Sequence, residues 1–179
     1  DPHQRLLLEV TCSALGVGRG RPSGLSASAS SDIGVFIGYT NAMDWAAVAC
    51  RQDVPVFSGG TTSFAAGRVS YTLGLTGPSM AIGTECSSSL VAVDSAVQNV
   101  RLSKCGAVVA AGVNLYLHQG GWIGKCAMRF ASHDGRSRSF DAAADGFGRA
   151  LRCTGDFPAT RAVDSYFSAV QKCANRTGA

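Results

Sequence analysis

The stretch from Gly74 to Val100 constrains the chain most, because its hydrophobic period changes within a few residues. Gly77-Pro78 marks a turn, and Met80-Ala81-Ile82 is a short apolar run suited to a buried strand. Beyond Cys86 the period becomes helical, with Leu90, Val93, Val97 and Val100 on one face. Ser87, Ser88 and Ser89 are small polar residues able to cap a first helical turn. Cys86 is therefore placed where a strand turns sharply into a helix. The first turn of a helix presents unpaired N–H groups and the positive end of the helix dipole, which favour an anion there. A thiol at that place is a candidate nucleophile, and the Cys86 backbone N–H is a candidate donor to the oxyanion of an attacked thioester. A structural cysteine buried at a helix start fits the same spacing.

The length of 179 residues is enough for one domain with its own core. Hydrophobic residues make up 46% and charged residues 16%, a globular rather than a disordered composition. No apolar run reaches the length of a membrane span. Asp1 opens the chain at a helix cap, with no signal peptide. The net charge of +4 is scattered, which argues against a nucleic-acid interface and leaves a mildly basic surface for an acidic protein partner. Cysteines stand at 12, 50, 86, 105, 126, 153 and 173, odd in number and without a C-x-x-C pair. That pattern predicts no zinc site and no metal, but mostly buried, reduced thiols in an intracellular protein.

Read in order, Asp1, Pro2 and Gln4 form a helix start of capping-box type. Leu7, Val10 and Ala14 carry its apolar face to Gly16, and Gly16 to Ser31 reads as a surface loop. Ile33 to Tyr39 predicts a buried strand, and Asn41 to Cys50 a short helix with Met43 and Trp45 in the core. Pro55 to Gly60 interrupts the pattern. A helix capped by Thr62 or Ser63 follows, with Phe64, Ala65, Arg68, Val69, Thr72 and Leu73 facing inward. Ala107 to Leu115 is a second apolar strand, Trp122 to Phe130 a short helix, and Ser132 to Ser139 a polar turn on Asp134-Gly135. Strands alternating with helices predict an α/β layered domain.

Thr84-Glu85-Cys86-Ser87-Ser88-Ser89-Leu90-Val91-Ala92-Val93 resembles the active-site segment of beta-ketoacyl synthases, and most of all the ketosynthase domains of modular polyketide synthases and type I fatty acid synthases. Asp1-Pro2-His3-Gln4-Arg5-Leu6-Leu7-Leu8-Glu9, Ala65-Ala66-Gly67-Arg68-Val69-Ser70-Tyr71 and Gly74-Leu75-Thr76-Gly77-Pro78-Ser79-Met80 resemble the same family. So do Ala111-Gly112-Val113-Asn114-Leu115, Asp134-Gly135-Arg136 and Phe140-Asp141-Ala142-Ala143-Ala144-Asp145-Gly146-Phe147-Gly148. These blocks span residues 1–149, a partial ketosynthase. Residues 150–179, from Ala150-Leu151-Arg152-Cys153-Thr154-Gly155 onward, form a divergent tail with a weak apolar face through Val163, Phe167 and Val170.

The resemblance implies the N-terminal part of a thiolase-like, layered α-β-α fold, incomplete in this chain. It implies a fragment of an acyltransferase of the 3-oxoacyl-[acyl-carrier-protein] synthase type. Such an enzyme takes an acyl group onto the Cys86 thiol and condenses it with a malonyl-type thioester in polyketide or fatty acid biosynthesis. Thr84, Glu85 and Ser87 would support the site. No cofactor is bound directly; the acyl and malonyl substrates are phosphopantetheine-linked to an acyl carrier protein. Further implied partners are the other synthase domains of a parent chain and a second copy in a homodimer, in the cytoplasm or a plastid.

Related synthases stabilise the malonyl carbanion with two histidines and a nearby lysine in their C-terminal half, beyond the match, so the chain alone is expected to be a poor enzyme. His3 is expected at the surface of the first helix, His118 after a strand, and His133 in a turn where relatives carry proline. Relatives carry Asp-Thr-Ala before the cysteine, where this chain has Gly83-Thr84-Glu85. A carboxylate facing the sulfur opposes thiolate formation, whereas pairing with Arg68 or Lys104 removes that effect. The competing reading is a non-catalytic relative that serves as a dimer scaffold or chain-length partner. A thiolase or thioesterase is a further alternative, though no G-x-S-x-G elbow surrounds Cys86.

Overall fold

A computed structural model describes residues 1–16, 31–40, 42–49 and 61–148, with the side chains of 42–44 excepted. The expectations for most of the loop from Gly16 to Ser31, the cap at Asn41, the break at Pro55 to Gly60 and the tail 150–179 lie outside the described residues. Within them run α1 (Pro2–Leu15), β1 (Ile33–Tyr39), α2 (Ala42–Ala49), α3 (Phe64–Leu73), β2 (Ser79–Ile82), a 3-10 turn (Glu85–Ser87), α4 (Ser88–Arg101), β3 (Ala107–Val113) and α5 (Gly120–Ala127).

The three strands form one parallel sheet in the order β2-β1-β3. All seven residues of the central strand β1 are buried, as a continuous apolar run covered on both faces requires. Val35, Ile37 and Tyr39 face one way and join Leu7 of α1, Ala65, Ala66 and Val69 of α3, and Ala111 of β3. Phe36 faces the other way and joins Ala92, Ala96 and Val100 of α4 with Cys105, Val108 and Ala110. The chain moves outward from β1 to β2 and then back across to β3. Right-handed crossovers with that reversal place α3 and α4 on opposite faces, as seen here. The result is a helix-sheet-helix sandwich, the layered α/β architecture expected. No described helix is long and apolar enough to cross a membrane.

The helix boundaries follow local chemistry. The Asp1 side chain accepts from the His3 N–H at 2.9 Å, Pro2 fills the first turn, and Gly16 closes α1 at φ 70°. Gly74 closes α3 at φ 64°. The helix expected at Trp122 to Phe130 instead begins at Gly120, where the Gln119 carbonyl accepts from Trp122 and Ile123. It stops at Ala127 because Arg129 takes φ 57°, and the N–H groups of Met128, Arg129 and Phe130 fold back onto Gly124, Cys126 and Lys125. The polar turn at Asp134-Gly135 is present, with Gly135 at φ 71°. Hydrogen bonds, first from Ser132 and then from the Arg136 N–H and the Arg138 guanidinium, hold the Asp134 carboxyl below its ordinary pKa.

Several inward faces differ from expectation. Ala14 is exposed; the buried stripe of α1 is His3, Gln4, Leu7 and Thr11. Phe64, Arg68 and Thr72 are exposed on α3, whose buried residues are Ala65, Ala66 and Val69. Met80 lies on the edge strand β2 and is 46% exposed. Leu90 is 71% exposed; of the expected face Val100 is buried and Val93 packs against the core, and α4 also buries Ser88, Ala92 and Ala96. Small residues face the sheet because helix and sheet approach too closely for larger ones. Of the four described cysteines only Cys105 is buried, and burial pushes its thiol pKa up. Cys12 is half-buried, Cys86 and Cys126 are exposed, and all four are free thiols.

The largest correction concerns His3, which has no exposed surface at all. Its Nε2 accepts from the Leu115 N–H at 3.0 Å, so the ring proton is assigned to Nδ1, 2.8 Å from Asp1 Oδ1. The ring lies against Tyr39, with centroids 5.0 Å apart. The Tyr39 hydroxyl donates to Asp1 Oδ2 at 2.6 Å, and burial pushes the phenol pKa up to about 12. This polar knot ties the start of α1 to the ends of β1 and β3. His3→Ala leaves a buried carboxylate short of a donor and the Leu115 N–H without its acceptor, and is expected to lower stability by about 3 kcal/mol in urea denaturation. His3→Gln, which offers an acceptor in place of Nε2, should lose clearly less. A loss below about 1 kcal/mol in the alanine variant would show that the knot carries little.

Candidate active site

Between β2 and α4 the backbone reverses within five residues, and hydroxyl groups fasten the turn. The Ser87 N–H bonds the Thr84 carbonyl at 3.3 Å, while Ser87 Oγ donates to the same carbonyl at 2.8 Å. Ser88 Oγ accepts from the Thr84 N–H at 2.8 Å and donates to the Glu85 carbonyl at 2.7 Å. Ser87 is the N-cap of α4, but its side chain makes no capping bond to that helix. The serines thus lock the turn instead of capping the helix, which corrects the expected role. Glu85 takes φ 54°, a left-handed conformation uncommon for a residue with a side chain. Such backbone is found where the surroundings over-determine it, and functional turns are the usual place.

This turn carries Cys86 to the surface, with its side chain exposed. The first 3-10 hydrogen bond is donated by Ser87. The N–H groups of Glu85 and Cys86 therefore precede the ladder, as the first N–H groups of any helix do.

Two glycines set how close α4 comes to the sheet. Gly38 and Gly112 are register partners on β1 and β3. A Cβ on Gly38 would lie 2.6 Å from both the Ser88 carbonyl carbon and the Ser89 nitrogen. A Cβ on Gly112 would lie 2.6 Å from the Ser89 Cβ. The start of α4 therefore rests directly on the strand backbones. A glycine inside a strand signals such an approach, and the two glycines of Ile33 to Tyr39 carried that signal in the sequence.

A cleft of about 130 Å³ opens beside Cys86. Its floor is Gly38 and Thr40 at the end of β1, with Gly112, Val113 and Asn114 at the end of β3. Glu85, Cys86, Ser88 and Ser89 form one wall, and Lys125 of α5 contributes from another element. Both of these strands meet the cleft at their carboxyl ends, the edge at which open parallel sheets bind ligands. The Lys125 ammonium lies 4.9 Å from the Tyr116 ring centroid, at the hydroxyl edge, and donates to the Tyr116 hydroxyl.

Of the residues singled out in the sequence, Cys86 and Glu85 line the cleft, while Thr84 and Ser87 stand outside it and fasten the turn. Among the described residues Glu85 forms no ion pair, with Arg68, Lys104 or any other cation. None of the three histidines lines the cleft. His3 sits in the knot below it, the His118 Nδ1 accepts from the Gly120 N–H at 3.0 Å, and His133 uses its backbone N–H on Asp145. No cluster of three metal-ligating side chains occurs among the described residues. Sequence reasoning missed Thr40 and Lys125, and named Ser89 as a cap and Asn114 within a family segment but neither as a site residue; the four meet only once the chain is folded. What the arrangement offers is an exposed thiol at a rigid turn, backbone N–H groups beside it, and a small polar cleft.

Residues 1–150 match the family described as beta-ketoacyl synthase, N-terminal domain. The chain is 40% identical over 153 residues to the highly reducing polyketide synthase dmxL2 of Cryptosporiopsis sp., covering 83% of this chain and 6% of that protein. It is 40% identical over 154 residues to the pikromycin polyketide synthase component PikAII of Streptomyces venezuelae, covering 84% of this chain and 4% of that one. Among solved structures, the ketosynthase from module 6 of the bacillaene synthase of Bacillus subtilis 168 superposes with a TM-score of 0.68 at 28% identity. That superposition covers 83% of this chain and 25% of the other. The chain thus spans under a tenth of the length of these two relatives and a quarter of that ketosynthase.

Proposed function

The chain belongs to the beta-ketoacyl synthase family, with the thiolase-like fold of polyketide synthase ketosynthases, and on that premise we propose that it is the nucleophile-bearing segment of a condensing enzyme. The observation that carries this is Cys86: an exposed thiol at the strand-to-helix turn, at the carboxyl edge of the sheet, beside a cleft.

In this reading the Cys86 sulfur attacks the carbonyl carbon of an acyl thioester. A new carbon–sulfur bond forms, and the carbonyl oxygen gains negative charge beside the Cys86 N–H. Collapse expels the thiolate of the carrier, which takes up a proton, and leaves the acyl group on Cys86. A malonyl-type thioester then loses carbon dioxide. Its carbanion attacks the acyl carbon and releases the Cys86 sulfur with a 3-oxoacyl product. The groups that stabilise the carbanion are not among the described residues of the cleft. Acyl and malonyl groups reach the site on the phosphopantetheine arm of an acyl carrier protein, for which the net charge of +4 is favourable. The working unit is a homodimer within a larger synthase inside the cell.

The second reading, a non-catalytic relative acting as scaffold or chain-length partner, draws on Glu85. Its side chain lines the same cleft, next in sequence to Cys86, where relatives carry alanine. Incubating the chain with butyryl-N-acetylcysteamine and weighing the intact protein separates the two. One butyryl adduct per chain supports the acyl acceptor, and no adduct at any concentration favours the scaffold.

A further inference from the structure

We propose that Lys125 makes the Cys86 cleft selective for acyl groups that carry an oxygen acceptor close to the thioester, as 3-hydroxyacyl groups do, over plain alkyl chains. This rests on the reading of Cys86 as the acyl acceptor.

The lining of the cleft is its main support. Around the thiol stand Thr40, Glu85, Ser89, Asn114 and Lys125, and Val113 supplies the one branched aliphatic side chain among the described residues there. An ordinary small-molecule pocket is mostly apolar with a few placed polar groups, whereas here polar and apolar surface are nearly equal. The cleft lies beside Cys86, so it meets the atoms of an acyl chain nearest the thioester. An alkyl chain entering it displaces water from an ammonium, an amide and hydroxyls and gives no hydrogen bond in return.

Lys125 is the side chain best placed to discriminate. Tyr116 holds it at the hydroxyl edge of its ring, where the ammonium donates to the phenol oxygen. An ammonium has three N–H donors. Tyr116 takes one, which fixes the stem and leaves the head able to donate to a substrate oxygen. A held ammonium loses less entropy on bonding than a free one. Glu85, the other charged group of the lining, accepts rather than donates. A hydroxyl on the β-carbon satisfies both, by accepting from Lys125 and donating to Glu85.

The test compares initial rates of Cys86 acylation by 3-hydroxybutyryl- and butyryl-N-acetylcysteamine, read by intact mass in the native chain, Lys125→Met and Lys125→Gln. The native chain is expected to favour the hydroxylated thioester about tenfold, the effect of one hydrogen bond to a charged group. Lys125→Met should bring the ratio close to one, and Lys125→Gln, which keeps a donor, should fall between. Each ratio is taken within one protein, so a smaller folded fraction cancels. A native ratio near one, or a ratio unchanged in Lys125→Met, overturns the inference while leaving Cys86 as the acyl acceptor. Absence of an adduct from both thioesters overturns the acyl acceptor, and the inference with it.

Discussion

Gly38→Ala is expected to slow acylation of Cys86 by about a hundredfold and to lower stability by about 2–3 kcal/mol. The new methyl group would stand 2.6 Å from the backbone of Ser88 and Ser89. Neither atom belongs to a flexible side chain, so the whole start of α4 must move. Gly38 lies on the central strand with neighbours on both sides, Ile82 of β2 and Gly112 of β3, so the strand has nowhere to retreat. Overpacking of this kind typically costs about 1–3 kcal/mol. The kinetic effect is larger because the shift occurs two residues from Cys86, and a displacement of about 1 Å can cost about a hundredfold in rate. Gly67→Ala is the control. A Cβ there meets nothing within 4 Å, and the change removes a flexible residue from the interior of α3, so stability should rise by up to about 1 kcal/mol. Thermal or urea denaturation with a thioester acylation assay reads both variants. An unchanged acylation rate in Gly38→Ala would show that contact between α4 and the sheet does not position Cys86.

Cys86→Ala is expected to abolish the covalent acyl adduct while leaving the fold intact. The side chain is exposed and contributes to neither hydrophobic cluster, so its truncation should change stability by no more than about 0.5 kcal/mol. The turn is held by Thr84, Ser87 and Ser88, all of which remain. Loss of the adduct is therefore a chemical effect, separable from unfolding by circular dichroism. Cys126→Ala, also at an exposed thiol, should retain the adduct in full. An adduct of native yield in Cys86→Ala would mean that another group accepts the acyl chain.

The features legible in the sequence were local ones. The period change around Cys86, the continuous apolar run of Ile33 to Tyr39, the cap at Asp1 and the end of the first helix at Gly16 are each decided within a few residues, and the structure places strand, turn and helix accordingly. What stayed hidden depends on partners distant in sequence. Hydrophobicity alone chose Leu90, Val93, Val97 and Val100 as the inner face of α4; Val100 is buried and Val93 packs against the core, but Leu90 is exposed, and Ser88, Ala92 and Ala96 are buried in its place. His3 looked like a surface residue because its partners come from β1 and from Leu115, 112 positions away. Arg68 looked buried because it recurs at the spacing of Ala65 and Val69, although it lies at the edge of that stripe and is exposed. The cleft escaped entirely, since Thr40, Asn114 and Lys125 meet only at the shared carboxyl edge of the sheet.

Position in the fold, and not exposure alone, is expected to make Cys86 the reactive thiol. Cys86 and Cys126 are both exposed, but Cys86 precedes the first turn of α4 while Cys126 lies in the last turn of α5. The first place presents backbone N–H groups that precede the hydrogen-bond ladder, and the second is the carbonyl end of a helix. Limiting iodoacetamide at neutral pH, followed by peptide mapping of all seven cysteines, compares them within one sample. The account predicts that Cys86 is labelled first and well ahead of Cys126. Labelling of Cys126 or Cys12 at an equal or greater rate would contradict it.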